Sequence, residues 1–288
     1  MMSNEYQYLK ILQELVDKAE NNPIRSDRTG VGTWSVFGRT IEFDLTDMKI
    51  PLLTTKKINY SNILHELFWM FRLKNENTDY LDENNVTIWK KWYAVDHKTG
   101  KNYLGKMYGQ ILRDESFDQL QYIIDLLRRN PTTRRAVFTL FDPKTSADER
   151  LSFQDNADLG RGVLNNCHAL ANQFIINDKG NLEFLTFQRS QDVFLGGPYN
   201  HAFYATFTHL IAHVLGIKAE KMIYVTGDTH LYSNHLEQAK LQLTRDPYES
   251  PTISIDKSIV DFDDWSNINQ ITLHNYNSHA FIKAPVAV

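Results

Sequence analysis

Apolar residues fall into two alternating periods along the chain. Leu9, Leu12, Leu15, Val16 and Ala19 recur at helical spacing, and Asn21-Asn22-Pro23 ends that helix. Ile41, Phe43 and Leu45 alternate as in a strand with one buried face. Leu64, Leu67, Phe68 and Phe71 form a second helical stripe, which also carries Glu66. Phe117, Leu120, Ile123, Ile124 and Leu127 form a third, with Ser116 as the expected N-cap. Residues 135–141 read as a strand. Phe174-Ile175-Ile176 and Leu182 to Phe187 flank Asn177-Asp178-Lys179-Gly180, which predicts a hairpin. Phe203, Phe207, Leu210, Ile211 and Val214 mark a deeply buried helix. Strands come in runs without regular βαβ alternation, so the expected class is α+β with a mixed or antiparallel sheet covered by helices. The stretch 144–166 is long for a connection, as functional loops often are.

Composition narrows the function classes. The chain has 288 residues, 42% hydrophobic and 12% aromatic, enough for a sizeable core. No repeat or linker divides it, so 1–288 is expected to be one catalytic domain. The net charge of −4 gives no global basic field for nucleic acid. No apolar run approaches the roughly 20 residues that span a bilayer. One cysteine and no leader-like start fit a cytoplasmic protein.

Candidate chemistry is scattered. Cys167 sits in Leu164-Asn165-Asn166-Cys167-His168, between the long loop and a strand. A thiol with a pKa of about 8.5 needs nearby positive charge to become a nucleophile. His168 is adjacent in sequence and on a strand would point to the other face. Arg189, on the hairpin's partner strand, is the better activator. Arg28, Arg134, Arg135 and Arg189 each suit phosphate, although a lone arginine is more often a solvated charge. Glu66 on an apolar helix would have a raised pKa and work as an acid or base, unless it simply faces water. Trp89 and Trp92 offer flat faces to an aromatic ligand or serve as core. His209 and His213 have zinc-compatible spacing but no third ligand, so no metal is expected.

Longer motifs connect these residues. Gln188-Arg189-Ser190-Gln191-Asp192-Val193-Phe194-Leu195-Gly196, continued by Gly197-Pro198-Tyr199-Asn200, resembles the central signature of thymidylate synthases. Gly227-Asp228-Thr229-His230-Leu231-Tyr232-Ser233-Asn234-His235 resembles a second. Asp27-Arg28-Thr29-Gly30, Leu53-Thr54-Thr55-Lys56-Lys57, Glu83-Asn84-Asn85-Val86-Thr87-Ile88-Trp89, Arg134-Arg135 and the ending Ile282-Lys283-Ala284-Pro285-Val286-Ala287-Val288 follow the family's order.

The resemblance implies an α+β fold whose homodimer packs sheet against sheet. It implies Cys167 as the nucleophile at C6 of dUMP, and 5,10-methylenetetrahydrofolate as one-carbon co-substrate. Arg28, Gln188, Arg189 and Ser190 would hold the nucleotide, with Arg134 and Arg135 reaching the phosphate from the partner subunit. His230 and Tyr232 would hold the deoxyribose hydroxyl. Glu66 would relay protons around C4, and Tyr108 would lie near the C5 proton. Asp192, Ile88, Trp89, Trp92, Leu195, Gly196, Tyr199 and Ala287 would line the folate side. Asn200 matches the base-reading position, where a carboxamide suits uracil.

The chain also departs from the pattern. Asn165 and Asn166 stand where the family commonly has prolines, and Tyr108-Gly109-Gln110-Ile111-Leu112-Arg113 lacks the usual tryptophan. With the long 144–166 loop, these features resemble the hydroxymethylase branch of the superfamily. That gives an alternative: hydroxymethylation of dUMP, or less readily dCMP. The intact C-terminal motif points to the synthase.

Overall fold

The computed structural model describes residues 4–75 and 78–286. Helix α1 (Tyr6–Asn21) buries Tyr8, Ile11, Leu12, Leu15 and Val16, and ends where Asn22 turns extended before Pro23. Strand β1 (Thr33–Asp44) starts well before the alternating segment that predicted it. Helix α2 (Tyr60–Leu67) is capped by the Asn59 side chain and widens into a π-type turn over Phe68–Arg72. Helix α3 (Asp79–Glu83), the short hairpin β2 (Ala94–Val95) and β3 (Asn102–Tyr103), and helix α4 (Gly109–Leu112) follow. A second hairpin, β4 (Arg113–Asp114) and β5 (Phe117–Asp118), leads into helix α5 (Gln119–Arg129).

The expected Ser116 cap is not the one formed. The N-cap of α5 is Asp118, which accepts from Gln121 N at 3.0 Å. Ser116 belongs to the hairpin turn, with its amide donating to Asp114 Oδ1 at 2.9 Å. Phe117, placed in the buried stripe by spacing alone, is exposed. The expected strand 135–141 also shrinks, to β6 (Val137–Phe138). Around it, the Arg135 amide turns to Thr133 Oγ1 and the Thr139 amide to Gln119 Oε1, so neither can join a ladder. The 144–166 stretch contains helix α6 (Phe153–Asp158), capped by Ser152.

The predicted hairpin is present as β7 (Ala171–Ile176) and β8 (Leu182–Asp192). Asn177 Oδ1 closes its turn by accepting from Lys179 N and Asn181 N, and Gly180 takes φ 77°. Helix α7 (Gly196–Val214), strand β9 (Ala219–Tyr232), helix α8 (Leu236–Leu243) and the pair β10 (Thr252–Ile255) and β11 (Ile271–His274) complete the chain.

The main sheet runs β1-β9-β8-β7-β6, antiparallel except for the parallel β8–β9 pair. The fold is therefore α+β with a mixed sheet. Its inner face carries Phe138, Phe174 and Phe184, and the Phe174 and Phe184 rings stack at 4.4 Å. Helix α7 lies against this face, nearly all of it buried. Alternation puts another apolar set on the outer face: Phe37, Val137, Ile175 and Leu185 are exposed. No described helix is long and apolar enough to cross a membrane.

Candidate active site

Cys167 is fixed by its own backbone. Its carbonyl accepts from Arg189 N at 2.9 Å and Ser190 N at 3.3 Å, so the end of β8 grips the loop at the cysteine. Two residues on, Ala169 takes φ 52°, a left-handed conformation that costs a non-glycine residue of order 1 kcal/mol. The Ala169 amide donates to Gln188 Oε1 at 3.0 Å, Gln188 Nε2 donates to Thr186 Oγ1, and Thr186 Oγ1 donates to Asn172 Oδ1. This buried chain of paired polar groups makes the strained turn rigid. Gln188 is thus fully buried and its side chain is committed to the scaffold.

Tyr108 approaches from α4. It sits at φ 36°, and the next residue, Gly109, runs so close to the π-type turn that a Cβ would lie 1.7 Å from Met70 O. The glycine is what lets this backbone approach happen. The Cys167 amide donates to Tyr108 Oη at 3.3 Å, which leaves the hydroxyl hydrogen free for Sγ, 3.6 Å away. Cys167 and His168 precede β7 rather than lie on a strand, and the His168 ring is engaged elsewhere: it stacks on Tyr108 at 4.3 Å, and Nδ1 bonds to the Tyr204 hydroxyl.

Burial pushes the Cys167 thiol up, while the Tyr108 hydroxyl and the Arg189 charge pull the other way. The net direction is upward, so the resting thiol keeps its proton. Arg189 leans over the loop, with Nε 3.4 Å from Asn166 O and Nη2 3.4 Å from Asn165 O. Asn166 replaces a proline with a function: its buried amide donates to Leu140 O.

Glu66 does not simply face water. It is half-buried and accepts from Trp89 Nε1 at 2.7 Å. Desolvation raises its pKa to about 7, against the lowering effect of the Trp89 bond. Trp89 is itself buried, edge-on to Trp92 (5.7 Å) and Tyr108 (6.1 Å), and its indole N–H holds the Glu66 carboxyl. Trp92 is half-buried and Ile88 exposed. Glu66→Gln should lower kcat by about a hundredfold or more and remove an inflection near pH 7 from the rate profile. It should also raise the melting temperature at pH 8 but hardly at pH 5. The folded state holds this proton up to about 7, the unfolded chain releases it near 4.5, and stability therefore falls as pH rises between those values. A profile that keeps its inflection in the variant would assign it to another group.

The parallel β8–β9 register brings the remaining polar residues together: Ser190 pairs with Asp228, and Asp192 with His230. Asp192 Oδ1 accepts from Phe194 N and Leu195 N, turning the chain into α7. Leu195, Gly196, Tyr199 and Asn200 follow, all half-buried. The Asn200 carboxamide lies beside the Tyr224 hydroxyl without hydrogen-bonding geometry. His230 Nδ1 is 2.8 Å from Asp228 Oδ1, and Asp228 is also paired with Arg25 at 3.3 Å. Donation of Nδ1–H to the carboxylate leaves Nε2 as an acceptor. Asp228 and Arg25 were missed as orienting groups, although Asp228 is two residues from His230 and so on the same strand face.

Arg28 is exposed in a loop closed on Asp27, whose carboxylate accepts from Thr29 N and Gly32 N. Ser233 docks that loop on the end of β9 through Gly32 O and Val31 O, beside Tyr232. Arg134 and Arg135 are not brought to Arg189 within the chain. Both are exposed ahead of β6, two strands from β8. His209 Nε2 is occupied by Lys49 O at 2.8 Å, and no group of three metal-ligating side chains exists among the described residues. Ala287 lies outside the described residues.

A single thiol held near a hydroxyl, a carboxylic acid and the Arg189 guanidinium outlines a nucleophilic transferase site on an α+β fold. The chain belongs to the thymidylate synthase family: the family model of that name matches residues 6–288. Thymidylate synthases from three strains of Francisella tularensis subsp. holarctica (FTNF002-00 / FTA, OSU18 and LVS) are each 38% identical to it over 288 residues, 98% of this chain and 99% of each relative. Membership makes the chain an enzyme, and a methyltransferase by class.

Proposed function

We propose that the chain is a thymidylate synthase: it converts dUMP and 5,10-methylenetetrahydrofolate to dTMP and dihydrofolate. The observation that carries this reading is the Cys167 thiol, backbone-clamped by β8 and 3.6 Å from Tyr108 Oη. The buried thiol gives up its proton as Sγ adds to C6 of uracil, so that C5 becomes the nucleophile that takes the one-carbon unit. Glu66, pushed up to about 7, exchanges a proton around C4. Tyr108 serves the loss of the C5 proton. The folate supplies the methylene group and then a hydride, and Sγ leaves as C5=C6 re-forms.

Arg28, Arg189 and Ser190 hold the phosphate, with the Gln188 main chain alongside. His230 accepts from the sugar hydroxyl through Nε2, next to Tyr232. Asn200 reads the base. Asp192, Ile88, Trp89, Trp92, Leu195, Gly196 and Tyr199 form the folate side, with Ala287 assigned there by resemblance. Residues 1–288 act as one catalytic domain in the cytoplasm.

The enzyme works as a homodimer joined through the outer sheet face, where Phe37 is 82% exposed. An apolar face of this kind needs a cover. Pairing it with a second copy would send the exposed Arg134 and Arg135 to the other subunit's phosphate site. Mixing Arg135→Ala and Cys167→Ala proteins, each inactive alone, should restore up to about a quarter of wild-type activity, the share of intact sites in randomly mixed dimers. No recovery after verified subunit exchange would refute the shared site.

The hydroxymethyl-transfer alternative is not favoured, because the relatives matched end to end bear the synthase name. Mass spectrometry of the nucleotide product, with near-ultraviolet absorbance followed alongside, tests the proposal. Thymidylate with rising dihydrofolate supports it, and hydroxymethyl-dUMP without dihydrofolate overturns it.

A further inference from the structure

His235 lies in the short 3-10 turn Ser233–His235 between β9 and α8 and is fully buried. Its Nε2 is 2.7 Å from the carbonyl oxygen of Pro285. A carbonyl only accepts, so Nε2 carries the hydrogen. The other nitrogen, Nδ1, is buried without a hydrogen-bond partner among the described residues. It stands 3.9 Å from Asp192 Oδ1, the oxygen that already accepts from Phe194 N and Leu195 N. The imidazole is wedged between the rings of Phe194 (5.4 Å) and Tyr232 (5.7 Å). Lys56 lies over the Phe194 ring, with Nζ 3.5 Å from its centre, and donates to Phe194 O. One buried ring therefore touches the end of β8, the end of β9 and the C-terminal segment.

That segment has little else to hold it. Ile282 is buried and Ala284 packs against the core, while Lys283, Pro285 and Val286 are exposed. Among the described residues, the His235 bond is the one side-chain hydrogen bond to residues 282–286. A buried imidazole with one nitrogen spent on the tail and the other unpaired toward Asp192 is costly to leave half-satisfied. Its geometry joins the two: the ring is held between Phe194 and Tyr232 with Nε2 on the Pro285 carbonyl, so the Asp192–Gly196 turn cannot move the ring without the tail carbonyl following or letting go.

We propose that His235 is a positioning residue that couples the seating of the C-terminal segment to the Asp192–Gly196 turn. Docking of the tail and binding of the folate at that turn are then one linked event. The identity of that ligand rests on the function proposed above.

Two variants separate tether from bulk. His235→Phe keeps the ring packing and removes both nitrogens. His235→Gln returns an amide N–H near the place of Nε2. In His235→Phe, trypsin should cut after Lys283 about tenfold faster, as loss of one buried hydrogen bond implies. The KM for methylenetetrahydrofolate should rise about as much, with dUMP affinity unchanged. His235→Gln should recover most of both. Unchanged cleavage and KM in His235→Phe would overturn the proposal, and so would an equal loss of dUMP affinity in both variants, which marks general damage. Should His235→Phe fail to fold, His235→Asn takes its place. The shorter amide cannot reach Pro285, so tryptic cleavage as slow as in His235→Gln would overturn the tether. The trypsin readout needs no turnover and stands apart from the identity of the product.

Discussion

Cys167→Ala should bind dUMP within a few-fold of the unsubstituted enzyme yet lose turnover by about 10⁴ to 10⁶, the range seen when a catalytic nucleophile is deleted. It should also form no covalent complex with 5-fluoro-dUMP and methylenetetrahydrofolate. The separation of binding from chemistry follows from the geometry. Arg189, Asn200 and His230, which contact the nucleotide in the proposed mode, are anchored on β8, α7 and β9, and Arg28 on the loop closed by Asp27, rather than on the thiol. The backbone clamp from Arg189 N and Ser190 N to the Cys167 carbonyl does not depend on the side chain. Cys167→Ser is the sharper companion, since it keeps the shape and the bond to Tyr108 while replacing a thiol of raised pKa with a far weaker acid. A covalent complex in the alanine variant, detected on a denaturing gel or by intact mass, would remove Cys167 from the chemistry.

Much of the fold was legible because burial and periodicity agree where elements are long. Helix α7 and the β7–β8 hairpin follow their sequence signals: one is a stripe of large apolar residues, the other two alternating runs around an Asn-Asp-Lys-Gly turn. Errors fell where local hydrogen bonds compete with pattern. Ser116 is a good capping residue, but Asp118 is equally good and stands at the true boundary, because the intervening residues make a tight hairpin. The 135–141 strand looked long because its residues suit a sheet, yet side chains of Thr133 and Gln119 take the amides on either side of β6.

The site was legible as motifs but not as geometry. Nothing local to Glu66 says that Trp89, 23 residues away, will donate to it. Nor does Gln188 announce that its amide is used up in supporting Ala169. Those facts depend on which elements meet. The departures at Asn165 and Asn166 looked like signs of changed chemistry. Asn166 instead replaces the rigidity of a proline with a buried hydrogen bond to Leu140 O. Asn165 offers its carbonyl to Arg189, which any residue could do.

Asn200→Asp should lower kcat/KM for dUMP relative to dCMP by about a hundredfold or more. Sites that read a base edge through hydrogen bonds discriminate far more than sites that read shape. Uracil presents an acceptor at O4 beside a donor at N3, and cytosine presents the reverse. A carboxamide can serve either edge by rotating through 180°, so asparagine alone does not choose. The choice needs a neighbour that fixes the amide. Tyr224 is that neighbour: its hydroxyl is fully buried, lies beside Asn200 and has no other partner among the described residues. A small rotation of the side chain on ligand binding lets one amide hydrogen meet the Tyr224 oxygen, leaving the second for O4 and the carbonyl for N3–H. An aspartate offers acceptors only, unless protonated, so it sets a charge against O4 and forfeits about 1–3 kcal/mol on the uracil side. Cytosine's amino group gains a partner by the same change. Competition between dUMP and dCMP, with both products quantified by mass spectrometry, gives the ratio directly. An unchanged ratio in Asn200→Asp would place base reading elsewhere. Tyr224→Phe supplies the internal control: with the amide free to turn, discrimination should weaken while Cys167 adduct formation with 5-fluoro-dUMP persists.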